Sequence, residues 1–183
     1  MTKKQIAALS NIIANENARL EERKSAVKPG IHAAWDKWIV TDGISAVLLA
    51  EKPDGLPEGE EMRKIYEMVE REVKRGDSVL ACTATVEKIK EWKALVKPWK
   101  QGKDSKTGAT PVEITARMED GRAVTGYYNP WYLVNVVEAV GTNALVYIGY
   151  SVQFSKFPSL FVYPKDWMEH NPDRIGFLLS IRQ

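Results

Sequence analysis

The chain has 183 residues, of which 44% are hydrophobic and 27% are charged. These values are ordinary for one folded domain, and they argue against a disordered chain. A chain of this length buries about 70% of its unfolded surface, so it needs neither a disulfide nor a structural metal in order to fold. The formal net charge is only +2. A nucleic-acid partner would therefore have to be recognised by a local cluster of charge.

The sequence contains one cysteine, Cys82, and two histidines, His32 and His170. An internal disulfide is therefore impossible, and neither a zinc site nor a histidine-dependent hydrolase site is expected. The first residues lack the apolar core of a signal peptide, and the chain has no run of 18 apolar residues. We therefore expect a cytoplasmic protein without a cofactor.

The first predicted element is a helix that starts after Thr2, because a threonine side chain caps helices with its oxygen. Three apolar residues, Ile6, Leu9 and Ile13, recur at helical spacing and predict one apolar stripe, with Ile12 flanking it. The charged segment 16–28 either extends this helix or forms a loop. Residues 31–50 contain the tight turn Asp42-Gly43 between apolar runs, which predicts an antiparallel meander.

A second helix is predicted over 62–73 and a short strand over 78–83. A third helix over 85–97 follows, and Pro98 ends it. Its inner side is expected to consist of Val86, Ile89 and Val96. The segment 101–109 is rich in glycine, serine and lysine and is expected to form a loop.

In the second half, strands over 112–116 and 123–128 flank a hairpin turn, and Pro130 opens a fourth helix over 131–140. The last predicted strands cover 144–150, 160–163 and 175–181. Hairpin turns are frequent, and helices do not alternate one-for-one with strands. The chain is therefore predicted to be α+β with largely antiparallel sheets. A helix followed by a meander occurs near its start, in its middle and at its end.

Two stretches carry a family resemblance: Trp38-Ile-Val-Thr-Asp-Gly-Ile-Ser-Ala-Val-Leu-Leu-Ala50 and Gly126-Tyr-Tyr-Asn-Pro-Trp-Tyr-Leu-Val-Asn-Val-Val-Glu-Ala-Val140. In this order they resemble the bacterial DNA polymerase III beta subunit, the sliding clamp. The first is similar to the strand, Thr-Asp-Gly turn and strand of that family. The second is similar to its C-terminal aromatic-Asn pair, Tyr-Leu and helix. Where the family usually continues the turn with His-Arg-Leu-Ala, this chain has Ile44-Ser45-Ala46 and lacks the basic residue.

The resemblance implies a short, divergent member with a DNA-clamp, or processivity, fold: curved antiparallel sheets with helices on one side. It implies a single domain over 1–183 with insertions at about 51–76 and 98–110, or a division into the halves 1–58 and 77–183. Sliding clamps carry three such domains per chain, and two chains close a six-domain ring around duplex DNA. A ring of the present chain would therefore be a homo-oligomer of six copies.

Local charge is the feature that points to DNA. Between Val86 and Lys106 the chain has seven lysines against three acidic residues, a local balance of +4. Such a stripe can contact phosphates without reading sequence. The candidate DNA-binding residues are Lys3, Lys4, Lys88, Lys90, Lys93, Lys97 and Lys100. The alternative is a solvated helix face followed by a lysine-rich loop.

Aromatic residues cluster around the third and fourth predicted helices. The resemblance implies an apolar groove near the C-terminus that binds short linear peptides of partner proteins. Aromatic anchors dominate many such interfaces. The candidate partner-peptide residues are Trp131, Tyr132, Phe161, Ile181 and Arg182. The alternative is that these aromatic rings pack in the core.

These features predict a non-enzymatic, sliding-clamp-like accessory protein of DNA replication or repair. It would contact duplex DNA without sequence specificity and act as a scaffold for replication or repair proteins. One alternative is a protein–protein interaction module with the same fold and no DNA binding. Another is a small enzyme that uses the acidic residues of 58–61 and 67–72, although their spacing matches no catalytic motif. We expect no catalytic residue, no metal and no membrane partner.

Overall fold

The computed structural model describes residues 1–15, 29–35, 37–57, 60–61, 67, 69–71, 77–96, 110–150, 157–169 and 172–180. Three helices are described over their whole length: α1 (Lys3–Ile13), α2 (Val86–Leu95) and α3 (Pro130–Val140). The strands are β1 (Gly30–Ala34), β2 (Lys37–Thr41), β3 (Ser45–Leu49), β4 (Glu60–Glu61), β5 (Asp77–Ala84), β6 (Val112–Arg117), β7 (Ala123–Tyr128), β8 (Ala144–Tyr150), β9 (Pro158–Tyr163) and β10 (Arg174–Leu179).

Eight of these strands form one sheet in the order β4-β1-β2-β3-β10-β9-β8-β5. All neighbours in it are antiparallel except β1 and the two-residue β4. Strands β6 and β7 pair with each other as a separate hairpin. The predicted α+β class with largely antiparallel sheets is therefore confirmed.

The sheet is built from two meanders that each follow a helix. Strands β1–β2–β3 follow α1, strands β8–β9–β10 follow α3, and the two meanders meet where β3 pairs with β10. The strands lie in the order β1-β2-β3-β10-β9-β8. The sheet therefore contains two helix-plus-meander units with opposite strand order, which we call mirrored units. The meander predicted for residues 31–50 is confirmed as β1–β3.

Alternate residues of the central strands face opposite sides of the sheet. The side that α1, α2 and α3 cover receives Val40, Val47, Val146, Val162 and Leu178. The opposite side receives Ile39, Leu48, Phe161, Tyr163 and Phe177, with Val69 and Trp167 packed on them. Because both sides are covered, every residue of β3 and β9 is buried, which explains why their sequences are mostly apolar, with Ser45 and Ser159 as the polar exceptions.

An aromatic group fills part of that opposite side. The Tyr163 ring stacks on Trp167 with 4.5 Å between centroids, and Tyr147 meets Tyr163 edge-on at 5.5 Å. Burial raises the pKa of the Tyr163 hydroxyl to about 12. Trp167 therefore belongs to a packed cluster.

Helices α1 and α3 pack together on the other side of the sheet. Leu9 and Ile12 of α1 are fully buried there, whereas Ile6 and Ile13 are only partly buried, so the predicted stripe is confirmed in part and its centre is shifted to Ile12. The Asn11 amide donates to the Asn135 amide oxygen at 3.0 Å, a polar tie between the two helices. Helix α2 packs against α3.

The predicted inner side of α2 is partly wrong. Val86 is 45% exposed, whereas Ile89 and Trp92 are buried, at 4% and 5% exposure. The packed stripe begins one turn after the first residue of the helix, and Trp92 continues it. Most of the predicted second helix lies outside the described residues. None of the helices in the described ranges combines the length and the apolar composition needed to cross a membrane.

Candidate nucleic-acid interface

The start of α1 is held by a reciprocal cap. The Thr2 hydroxyl accepts from the Gln5 backbone N–H at 3.3 Å, while the Gln5 side chain accepts from the Thr2 N–H at 2.8 Å. The Gln5 amide also donates to the Val140 carbonyl at 3.1 Å, which ties this helix start to the end of α3. Lys3 and Lys4 follow the cap directly and are exposed. The predicted cap at Thr2 is confirmed.

Helix α2 brings the second group of lysines to the same side of the sheet. Its cap is Thr85, whose hydroxyl accepts from the Lys88 backbone N–H at 3.3 Å. Ile89 and Trp92 point into the core. Lys88 is half-buried, and Lys90 and Lys93 are exposed. Lys97 and Lys100 lie outside the described residues.

Glu138 of α3 is the point where the two lysine groups meet. Its Oε1 lies 2.9 Å from Lys4 Nζ and 2.7 Å from Lys93 Nζ. The carboxylate side chain is 10% exposed, whereas the side chains of Lys4 and Lys93 are 57% and 47% exposed. Oε1 receives no hydrogen bond of regular geometry, so both contacts are ion pairs by distance alone. Two of the predicted DNA-binding residues, far apart in sequence, therefore share one anionic partner.

The position of Glu138 follows from the composition of α3. It is the one charged residue of this helix, and Val137, Ala139 and Val140 beside it are buried. A carboxylate in so apolar a helix is stable only where a cation can reach it. Glu138 is not among the candidate site residues predicted from the sequence. The available signal was this lone acidic residue in an apolar run, which predicts a basic partner on a neighbouring element.

A small cavity of about 80 Å³ lies beside the ion pairs, between the start of α1 and the end of α3. Lys4, Glu138, Gly141 and Thr142 are among the residues that line it. Sites that enclose a small-molecule substrate are usually several times larger, about 300–1,000 Å³. This region is therefore better suited to contact with an extended surface partner than to enclosure of a substrate.

The one cysteine of the chain, Cys82, lies close to Lys88 of this face. Burial raises the pKa of the Cys82 thiol, and the nearby Lys88 ammonium only partly opposes that effect. The thiol is therefore held in its unreactive protonated form. Within the described ranges, no group of three or more histidine, cysteine, aspartate or glutamate side chains could hold a metal ion.

The Thr-Asp-Gly turn of the first family-like stretch lies at the other end of α1. Asp42 Oδ1 accepts from the backbone N–H groups of Ile44 and Ser45, at 3.0 and 2.7 Å, and from the Ser45 hydroxyl at 3.0 Å. The Thr41 hydroxyl accepts from the Gly43 N–H and donates to the Ser45 carbonyl. The Thr41 hydroxyl and Asp42 Oδ1 are thus hydrogen-bonded within the turn.

Asn15 connects this turn to the second family-like stretch. Its amide donates to Asp42 Oδ2 at 2.7 Å and contacts the Tyr132 hydroxyl at 3.4 Å. Tyr132 lies in the first turn of α3, which Asn129 caps by accepting from the Trp131 N–H. The two stretches that carry the family resemblance are therefore in contact through the end of α1.

The candidate peptide-binding residues do not form one group. Trp131 and Tyr132 are neighbours at the start of α3, half-buried, with their rings edge-to-face at 5.1 Å. Phe161 is 1% exposed and packs against Phe177 on the opposite side of the sheet. Its ring is inaccessible to a partner in this structure. Ile181 and Arg182 lie outside the described residues.

Comparison of the chain with protein-family models, with curated proteins and with solved structures yields no match.

Proposed function

We propose that this protein is a sliding-clamp-like accessory protein of DNA replication or repair. It contacts the backbone of duplex DNA without sequence specificity and holds partner proteins near it. The observation that carries the proposal is the convergence of Lys4 and Lys93 at Glu138. That convergence brings the N-terminal and the central lysine groups to one side of the sheet, which we call the lysine face: Lys3, Lys4, Lys88, Lys90 and Lys93.

The chemistry of the lysine face suits phosphate contact. Lysine presents a mobile point charge on a long stem, and such contacts fix position on a duplex without reading bases. Four of the five side chains are exposed and the fifth is half-buried. The described part of α2 holds Glu87 and Glu91 as well, so the positive excess is modest. We therefore expect weak, strongly salt-dependent binding.

The architecture supports the same proposal. A clamp domain has paired helices on one side of antiparallel sheets, and here α1 and α3 pack together on one side of a sheet made from two mirrored units. The missing basic residue after Gly43 fits the geometry of the turn, because the polar side chains of Thr41 and Asp42 are engaged within it. DNA contact in this chain therefore falls to the helices.

The alternative is a protein–protein interaction module of the same fold without DNA binding. Two observations favour it: Glu138 already forms ion pairs with two of the candidate lysines, and Trp131 and Tyr132 present partly accessible rings at the start of α3. Half-buried aromatic pairs of this kind can anchor a peptide.

Fluorescence anisotropy with a labelled duplex at about 50 mM and about 200 mM salt separates the two functions. We expect binding at the lower concentration that weakens at the higher one and is the same for unrelated duplex sequences. Lys90→Gln should weaken binding several-fold and reduce the slope of log K against log salt by about 0.9, the contribution of one phosphate contact.

The matched control is Lys165→Gln, which removes an equally exposed charge from the segment that carries Trp167 to the opposite side of the sheet. It should leave both affinity and slope unchanged. An absence of binding at the lower salt concentration would leave the interaction module as the function. Equal effects of the two variants would show that DNA does not use the lysine face.

A further inference from the structure

The arrangement around Glu138 has a consequence for how strongly the lysine face can bind. Building on the proposed function, we infer that Glu138 is an affinity-determining residue. Its carboxylate occupies Lys4 and Lys93 in place of a phosphate, and the DNA backbone must compete with it for these two ammonium groups. Glu138 thereby keeps the affinity of the protein for DNA low.

The ion pairs place two ammonium groups around a single carboxylate oxygen. One oxygen, Glu138 Oε1, is approached by Lys4 Nζ at 2.9 Å and by Lys93 Nζ at 2.7 Å. Two ammonium groups around one anionic oxygen are also what a phosphate oxygen of a nucleic acid would attract. A phosphate placed at the lysine pair would therefore make the contacts that the carboxylate now makes.

Of the two partners in each ion pair, the lysine is the one that can move. The Glu138 side chain is nine-tenths buried in an apolar helix, whereas about half of each lysine side chain is exposed. The carboxylate is fixed, and the two cations can turn outwards on their long stems. Because neither contact has hydrogen-bond alignment, the attraction is Coulombic and is weakened by solvent at the exposed ends.

Contacts other than the ion pairs hold the helices together. The start of α1 is tied to the end of α3 by the Gln5 amide, which donates to the Val140 carbonyl at 3.1 Å. The Arg174 guanidinium donates to the same carbonyl at 2.7 Å. The helices also pack through buried apolar side chains, among them Leu9, Ile12 and Trp92. Replacement of the carboxylate by an amide of the same size should therefore leave the fold intact.

The test compares the wild-type protein with Glu138→Gln by anisotropy on the same labelled duplex at about 50 mM and about 200 mM salt. Release of two lysines should steepen the slope of log K against log salt by about 1.8. The fourfold increase in salt should therefore lower the affinity of the variant about tenfold more than it lowers that of the wild type. At the lower concentration the variant should bind about tenfold more tightly.

The control is Glu119→Gln, which makes the same change in net charge at an exposed position in the β6–β7 turn. It should leave affinity and slope close to those of the wild type. A second control, the triple variant E138Q/K4Q/K93Q, should lose the gain of E138Q, because the released lysines are then absent.

Each outcome separates this inference from the function on which it depends. If wild type and E138Q bind DNA with equal affinity and slope, the competition is overturned and the DNA-binding function stands. If E138Q binds more weakly, Glu138 positions the lysines for DNA, and the inference is again overturned. If neither protein binds at the lower salt concentration, the proposed function fails and the competition with DNA fails with it.

A measurement without DNA tests the ion pairs themselves. The NMR chemical shifts of the Lys4 and Lys93 Nζ atoms should differ between the wild type and E138Q, because the variant lacks the ion pairs, whereas the shift of Lys165 Nζ should be the same in both proteins. Identical spectra for these groups in the two proteins would show that the carboxylate does not hold the lysines in solution. That result overturns the inference whatever the DNA-binding data show.

Discussion

Asp42 shows what a single residue contributes to this fold. It is 2% exposed, its Oδ1 accepts from Ile44 and Ser45 of its own turn, and its Oδ2 accepts from Asn15 at the end of α1. The turn also needs Gly43, whose φ of +83° lies in the left-handed region that favours glycine. The Thr-Asp-Gly sequence is therefore explained by the geometry of one turn and its tie to α1.

At the residue scale, we predict that Asp42→Ala destabilises the protein by about 3 kcal/mol, because buried donors of the turn lose a charged acceptor. Asp42→Asn should cost less, because it keeps one acceptor oxygen but turns a donor towards another group. Urea denaturation measures both changes.

The control for this prediction is Asp54→Ala in the exposed loop between Pro53 and Gly55, which should change the free energy of unfolding by less than about 0.5 kcal/mol. A loss for Asp42→Ala no larger than that of the control would contradict the role assigned to this carboxylate.

At the element scale, the packing of α3 on β10 depends on Gly176, which has no side chain. A Cβ at Gly176 would lie 2.5 Å from Val136 Cγ1, closer than real contacts, and 3.1 Å from Val140 Cγ2, tighter than most of them. A side chain larger than glycine at this position would therefore require Val136 to shift. The close approach of α3 to β10 sets the height of α3, and with it Glu138, above the sheet.

We predict that Gly176→Ala destabilises the protein by about 2 kcal/mol through overpacking against α3. Adding Val136→Ala should restore part of that loss, because it removes the methyl group that clashes. The two changes should therefore be less than additive in thermal or urea unfolding.

Gly30→Ala is the matched control for that substitution. A Cβ at Gly30 would have only ordinary contacts, at 3.6 Å from the His32 ring, so this variant should change stability by about 0.5 kcal/mol or less. Full additivity of Gly176→Ala and Val136→Ala would contradict the close approach.

At the scale of the whole molecule, the sheet is well covered at its centre and open at its ends. Strands β3 and β9 are buried throughout and have a paired neighbour on each side. Among the described strands, β5 pairs only with β8, and β4 contributes two residues at the opposite end. Stability is therefore expected to fall from the centre of the sheet to its two edges.

Hydrogen–deuterium exchange should follow that gradient. We predict the slowest amide exchange in β3, β9 and β10, and faster exchange for the amides of β5 that do not face β8. Protection of β5 equal to that of β9 would contradict an open edge. A rise of β5 protection with protein concentration would show that another chain pairs there.

Much of the fold could be predicted from short-range patterns. The turn at Asp42-Gly43, the hairpin turn at 119–122 and the cap and proline at Asn129 and Pro130 act through bonds to near neighbours, and all appear in the structure. The inner side of α2 was harder to predict, because Val86 and Trp92 are both apolar and only the packing partner decides which of them is buried.

The candidate site, too, could be predicted from the sequence only in part. The lysines could be found from their density along the chain, but their meeting point could not. Lys4, Lys93 and Glu138 are separated by long stretches of sequence and come together only because α1, α2 and α3 pack on one side of the sheet. Phe161 shows the converse, since an aromatic residue suited to a peptide groove is enclosed when both sides of its strand are covered.

By itself, the sequence determined the α+β class, the turns, the helix caps and the supply of lysines, because each of these depends on residues a few positions apart. Only the tertiary structure decided which lysines lie close together and which carboxylate they contact. Charges interact through space over a few ångströms, and those distances exist only after the helices have packed.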